Sequence, residues 1–293
     1  MEALKAAITS AGMSRSLLPD PVMREKVSRI ERIPSLPTLY LELVRQLQTI
    51  ETPVVEIAAT VSRDVGMTTQ ILKIVNSAFF GLPQPTSNVT EAISFLGIDL
   101  VKHLVLAVGV FSQFENRKLG GLSLETLWQH SIRTANAAKW IARRESAGRV
   151  VIEDALAAGL LHDLGKLVIA HNYPERCEAL GQRALANSVE WLAEERKEFG
   201  FDHAQVGGYL LGLWGLPPAV VEAVAFHHVP IRSKDAKFSA LTAVHVVNSL
   251  VQNQRPSHGG IAPPTVDMLY LSKIGHAEAL AAWREELKDA PTI

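Results

Sequence analysis

The chain contains a single cysteine, Cys177, among 293 residues. That excludes an intramolecular disulfide and any cysteine-built zinc module. An excess of either charge is also missing, since 29 Lys plus Arg face 30 Asp plus Glu, for a formal net charge of -1. The chain as a whole therefore exerts no general pull on nucleic acid or on an anionic membrane. No apolar run approaches the roughly 18 residues of a membrane helix, and Leu104–Phe111 is too short. Met1–Gly12 carries Glu2 and Lys5 in an amphipathic pattern and lacks the apolar core of a secretion signal. We therefore expect a cytoplasmic protein with neither a membrane nor a nucleic-acid partner. Alternating polar and apolar strand runs, internal repeats and low-complexity segments are absent too.

Hydrophobic residues supply 47% of the chain and charged residues 20%, a globular balance. A chain of about 300 residues buries roughly three quarters of its unfolded surface, so no metal is needed merely to fold. The dominant period is helical. Leu36, Leu39, Tyr40, Leu43 and Leu47 form one apolar stripe. Further helices are expected over Val54–Val61, Met67–Val75, Ser87–Leu96 and Asp99–Phe114, and then over Leu124–Glu145, Glu153–Ala170 and about Pro174–Asn187. Val189–Glu198, His203–Leu213, Pro218–His227 and Phe238–Asn253 follow, with shorter pieces at Val266–Ile274 and His276–Lys288. Gly215, with a positive φ, ends one helix, and Pro217 opens the next. The class is all-α. Arg117–Gly121 is the best boundary, giving an N-terminal helical subdomain (1–118), a second helical subdomain (119–255), and a Pro/Gly-rich loop with a short helical tail (256–293).

Residues able to carry chemistry gather in the second half. His162 and Asp163 are adjacent in Ala158-Gly-Leu-Leu-His-Asp-Leu-Gly-Lys166, an otherwise apolar run. Burying an imidazole beside a carboxylate is costly unless both find partners. A divalent cation would satisfy both. His130 lies midway along an earlier helix, His203 opens a later one, and His227 and His228 close another. Asn248 sits in the last long helix, one turn after His245. A helical bundle can assemble a metal site from such scattered side chains. His103, His171, His245, His258 and His276 are expected to be ordinary hydrogen-bonded core or surface residues. Adjacent helical side chains diverge by about 100°, so only one of His227 and His228 need face the site. Lys166 is either a solvated last-turn residue or a phosphate-facing one.

Ala158–Lys166, with His130 in Trp128-Gln-His-Ser-Ile-Arg-Thr-Ala135, resembles the core of the HD superfamily of metal-dependent phosphohydrolases. The first half narrows this. Ile33-Pro-Ser-Leu-Pro37, Asp64, Ile71-Leu-Lys-Ile-Val-Asn-Ser-Ala-Phe-Phe-Gly-Leu-Pro83 and Ala92-Ile-Ser-Phe-Leu-Gly97 resemble the HDOD family, as do Phe199–Leu211 and Trp214–Pro217. The resemblance covers about Ile33 to Asn253. It implies an N-terminal helical subdomain packed on an HD-type bundle, and a regulatory module of bacterial signalling without established catalysis. The matched metal-ligand positions are His130, His162, Asp163, His203 and one or both of His227 and His228. Asn248 stands where a closing Asp is expected, and Lys166 occupies the position of a catalytic lysine.

Three departures weaken the likeness to catalytic relatives, the HD-GYP cyclic di-GMP phosphodiesterases. Asn248 is neutral. Val229–Asp235 lacks their Gly-Tyr-Pro signature. Thr126, one turn before His130, replaces a useful carboxylate. We therefore expect one divalent transition metal (Fe, Zn, Ni or Mn) or none, and a signalling partner on a separate chain. The competing expectation is a metal-dependent phosphohydrolase or phosphodiesterase. It would bind a phosphate-containing small ligand, act on a nucleotide-like phosphoester, and use Lys166 to offset phosphoryl charge.

Overall fold

A computed structural model describes residues 21–47, 52–76, 82, 84–187, 191–253 and 265–287. The expectations for residues 1–12, the motif segment 77–81, His258 and the loop 254–264 lie outside the described residues. Among those described, every regular element is helical, so the protein is all-α. The chain divides into two units. One joins residues up to Ile33 with those from Asn116 onward; the other is Pro34–Glu115. Helix α1 (Pro21–Ser28) therefore groups with the second half, whereas the composition break at Arg117–Gly121 assigns it to the first. The reason is apolar contact: Val27 and Ile30 share a small recess with Val168, Val206 and Leu210.

Pro34–Glu115 holds α2 (Thr38–Gln46), α3 (Val54–Ser62), α4 (Val65–Val75), α5 (Val89–Leu96) and α6 (Ile98–Phe111). Helix α6 is the hydrophobic centre, with every residue from His103 to Phe111 buried. A helix apolar on all sides belongs in the middle of a unit, and α2, α4 and α5 pack against it. Asp64 starts α4 by accepting the Met67 N–H at 2.9 Å, and Asn88 starts α5 by accepting that of Thr90 at 2.8 Å. Each satisfies a donor left open by the helix start. Asn76 closes α4 by exchanging two bonds with the Thr86 backbone, each 2.7 Å. No single helix among the described residues is long and apolar enough to cross a membrane; the apolar pair α5 and α6 is bent by 113°.

The other unit continues with α7 (Leu124–Arg144), α8 (Arg149–Leu161), α9 (Leu164–Asn172), α10 (Pro174–Asn187) and α11 (Trp191–Phe199). It ends with α12 (His203–Leu213), α13 (Pro218–Phe226), α14 (Ala240–Asn253), α15 (Met268–Lys273) and α16 (Ala279–Glu286). Helix α14 is buried along its length from Ala240 to Val251 and packs against α7, α8 and α13. Two glycines allow the close approaches that set the ligand spacing. A Cβ on Gly159 would lie 2.4 Å from Ala135 Cα, so α7 and α8 meet backbone to backbone. One on Gly165 would lie 1.9 Å from the His203 carbonyl oxygen, so α9 and α12 do the same. The tail is docked: Tyr270 shares a 2.7 Å bond with Thr242, and the Trp283 indole donates to Glu145 at 2.8 Å.

Three sequence expectations need correction here. The single helix over Glu153–Ala170 is two helices broken at His162-Asp163. The His162 Nδ1–H donates to the Gly159 carbonyl at 2.9 Å, and so takes the acceptor that the Asp163 N–H would use in a continuous helix. Helix α13 likewise stops at Phe226, before both histidines, where His227 Nδ1–H donates to the Val224 carbonyl at 2.8 Å. His227 keeps helical backbone angles (φ -58°, ψ -20°), yet both paired histidines offer a ring nitrogen to one donor group. Lys166 stands in the first turn of α9, not in a last turn.

Candidate metal centre

Side chains from five places in one unit converge: His130 in α7, His162-Asp163 between α8 and α9, His203 opening α12, His227-His228 after α13, and Asn248 in α14. His130 Nε2 lies 3.1 Å from His162 Nε2 and 3.0 Å from Asn248 Oδ1. Asp163 Oδ2 is 3.4 Å from His162 Nε2 and 3.6 Å from His130 Nε2. Its other oxygen, Oδ1, is 3.2 Å from His203 Nε2 and 4.0 Å from His227 Nε2. His203 Nε2 and His228 Nε2 are 3.0 Å apart. Two groups of donors result, His130/His162/Asp163 and His203/His227/His228, each compact enough to hold a metal ion. The two oxygens of Asp163 face one group each.

The chemistry of this donor set fits a cation. Asp163 Oδ1 and His227 Nε2 are buried and make no hydrogen bond, which is costly for polar atoms without a ligand. The Nδ1–H bonds of His162 and His227 to backbone carbonyls fix the tautomer that leaves Nε2 bare. Burial, reinforced by the nearby His162, lowers the His130 pKa to about 3. Burial also pushes His227 and His228 well below the ordinary range. Burial alone would raise Asp163, but His162 and Lys166 outweigh it and hold the carboxyl well below its usual value. Neutral imidazoles around an ionised carboxylate are the protonation states that metal coordination requires. His203 differs. Burial would lower it, yet the Glu195 carboxylate prevails and raises it to about 9.

Lys166 Nζ donates to Asp163 Oδ2 at 2.7 Å. A cation in a first turn opposes the positive end of the helix, so this carboxylate is what holds it there. His245 acts as a hydrogen-bonded core residue. Its Nδ1–H reaches the His227 carbonyl at 2.7 Å, and its Nε2 accepts the Asp267 N–H at 2.8 Å. Cys177 is buried, and burial pushes its thiol up to about 12.

A model of the HDOD domain matches residues 33–230. The chain belongs to the HDOD family. An uncharacterized protein of Treponema pallidum (strain Nichols) is 30% identical over 204 residues, covering 68% of this chain and 38% of that protein. The chain thus spans under half the length of this curated relative. Among solved structures, an HDOD domain protein of unknown function from Geobacter sulfurreducens superposes with a TM-score of 0.72 at 20% identity, covering 92% of this chain and 97% of that one. A Marinobacter aquaeolei VT8 protein named as a candidate signal transduction protein gives 0.67 at 19% identity, covering 96% and 65%. A Shewanella amazonensis SB2B protein named as a candidate metal-dependent phosphohydrolase gives 0.62 at 16%, covering 95% and 99%. These likenesses show the HDOD fold.

Two residues of this HDOD centre were not singled out from the sequence, Glu195 and Trp191 in α11. They sit in Trp191-Leu-Ala-Glu-Glu-Arg-Lys-Glu198, which reads as a solvated charged helix. Yet Glu195 is only 2% exposed and accepts from the His203 ring at 2.6 Å. The one available signal was its apolar company, Leu192 and Phe199, on the same helix face.

Proposed function

We propose that this chain is a cytoplasmic HDOD signalling module that holds one divalent transition metal as an internal cross-link. It acts through a partner protein on a separate chain rather than by turnover, and engages no nucleic acid or membrane. The observation that carries this is enclosure: His130, His162, Asp163, His203, His227 and Asn248 are each at most 6% exposed. A substrate needs an open ligand position beside the metal. Asn248 in place of a carboxylate, and Lys166 committed to Asp163, point the same way. One carboxylate shared between two donor groups compensates a single dication far better than two. A bound Fe, Zn, Ni or Mn ion would supply Lewis acidity and cross-linking. The chain's own part is to fix the imidazole tautomers and keep water out.

The second reading is a metal-dependent phosphohydrolase or phosphodiesterase acting on a nucleotide-like phosphoester. It draws support from Asp163, whose two oxygens each face one of the two donor groups. In that case Lys166 would leave Asp163 to meet phosphoryl oxygens. The readings separate in a turnover assay with bis(p-nitrophenyl) phosphate and added Mn, Fe, Ni or Zn. The signalling reading expects no wild-type rate above that of a His162→Ala/Asp163→Ala variant. Asn248→Asp creating turnover would mark a lost enzyme. Wild-type hydrolysis abolished in the double variant would establish the phosphohydrolase.

A further inference from the structure

Three imidazoles of the centre are oriented by Nδ1–H bonds of two different kinds. His162 and His227 stand just past helix ends, and each donates its Nδ1–H to a carbonyl three residues back, at 2.9 and 2.8 Å. His203 cannot do this, because it is the first residue of α12 and no helical turn precedes it. Its acceptor is a side chain instead. Glu195 Oε2 accepts the His203 ring Nδ1–H at 2.6 Å and its backbone N–H at 2.9 Å. The other oxygen, Oε1, accepts the Trp191 indole N–H at 2.7 Å. With both oxygens engaged, the carboxylate is held in place, and His203 is pinned by one bond to its ring and one to its backbone. His203 Nε2 is thereby left 3.2 Å from Asp163 Oδ1 and 3.0 Å from His228 Nε2.

Starting α12 does not require Glu195. Asp202 and Gln205 already form a reciprocal cap, each side chain accepting the other's backbone N–H at 2.9 Å. A buried carboxylate in a second acceptor role is an expensive arrangement if its only purpose is to begin a helix. An ionised acceptor makes the stronger bond and raises the basicity of the ring nitrogen opposite.

We propose that Glu195, held by Trp191, is a positioning residue that sets His203 as an Nε2 ligand of the metal centre. This rests on the reading that the cluster binds a metal. Outer partners of ligating histidines are typically worth about 10- to 100-fold in metal affinity.

The test is a double-variant cycle on the full chain, with Co²⁺ as probe. Affinity is read by competition with a chromophoric chelator, and the ligand field by the visible spectrum. Glu195→Gln should weaken Co²⁺ by about 10- to 100-fold and alter the visible band. In a His203→Ala background the same change should cost nothing more. Should Glu195→Gln fold poorly, Trp191→Phe serves instead, with a smaller loss in the same direction that also vanishes without His203. Unchanged affinity in Glu195→Gln, where His162→Ala/Asp163→Ala has lost the metal, overturns the positioning role and leaves the metal reading standing. An equal loss with and without His203 reduces Glu195 to a structural residue and also overturns it. A wild-type chain that takes up no Co²⁺ overturns both.

Discussion

Asp163→Ala will abolish metal binding and lower the stability of the metal-free chain by about 3–5 kcal/mol. The carboxylate is fully buried and receives the Lys166 ammonium at 2.7 Å. It also has His162 Nε2 at 3.4 Å and His203 Nε2 at 3.2 Å. Its removal leaves Lys166, whose side chain is only 15% exposed, among buried imidazoles without its ion-pair partner, with only the more indirect attraction of Glu195. The cost comes chiefly from that stranded charge, not from the loss of a favourable bond. The double change Asp163→Ala/Lys166→Met should therefore recover much of the stability and none of the metal binding. Denaturant melts of the metal-free proteins check the first point, and metal analysis the second. An Asp163→Ala chain as stable as wild type would mean that Lys166 finds solvent without difficulty, and the buried-pair account would be wrong.

Gly165→Ala should be nearly as damaging, for a steric reason. The added Cβ would stand 1.9 Å from the His203 carbonyl oxygen and 2.9 Å from the Gly207 nitrogen. Both are backbone atoms, so no side chain can rotate away. Helices α9 and α12 must separate, which carries Asp163 and His203 apart. Overpacking of this kind costs about 1–3 kcal/mol and more where backbone is involved; we expect about 3 kcal/mol together with a weakened metal site. Gly212→Ala is the control on α12, because its Cβ meets only Val221 Cγ1 at 3.8 Å. There the better helix propensity of alanine should leave stability unchanged or slightly raised. Thermal melts of the two variants side by side decide the matter. Equal effects from both would show that the α9–α12 contact is not the constraint.

Legibility in the sequence followed the physics of each feature. Helices were legible because apolar stripes repeat with the helical period, as in Leu36–Leu47 and Asp99–Phe114. His162-Asp163 was conspicuous because ionisable residues are rare inside so apolar a run as Ala157–Ala170. The helix break at that dipeptide was hidden, since the apolar pattern continues through it and the break is made by one ring-to-carbonyl bond. The same bond stands at His227, at the end of α13, and both paired histidines join the cluster there. Glu195 was invisible for the opposite reason: a charged helix surface and a buried ligand-orienting carboxylate share one local pattern. Only the fold that lays α11 against the start of α12 distinguishes them. The grouping of helix α1 has no local signal, because the residues it meets, Val168, Val206 and Leu210, are far along the chain.

The central claim is that the histidine cluster is a metal-holding core, and the direct measurement is metal content by inductively coupled plasma mass spectrometry. It is made on untagged wild-type chain purified without chelator, beside His162→Ala/Asp163→Ala. The account predicts about one equivalent of a divalent transition metal in the wild type and background in the variant. A wild-type chain that carries no metal, and takes up no Mn, Fe, Ni or Zn on reconstitution, would contradict it and leave the histidines as core hydrogen-bonders.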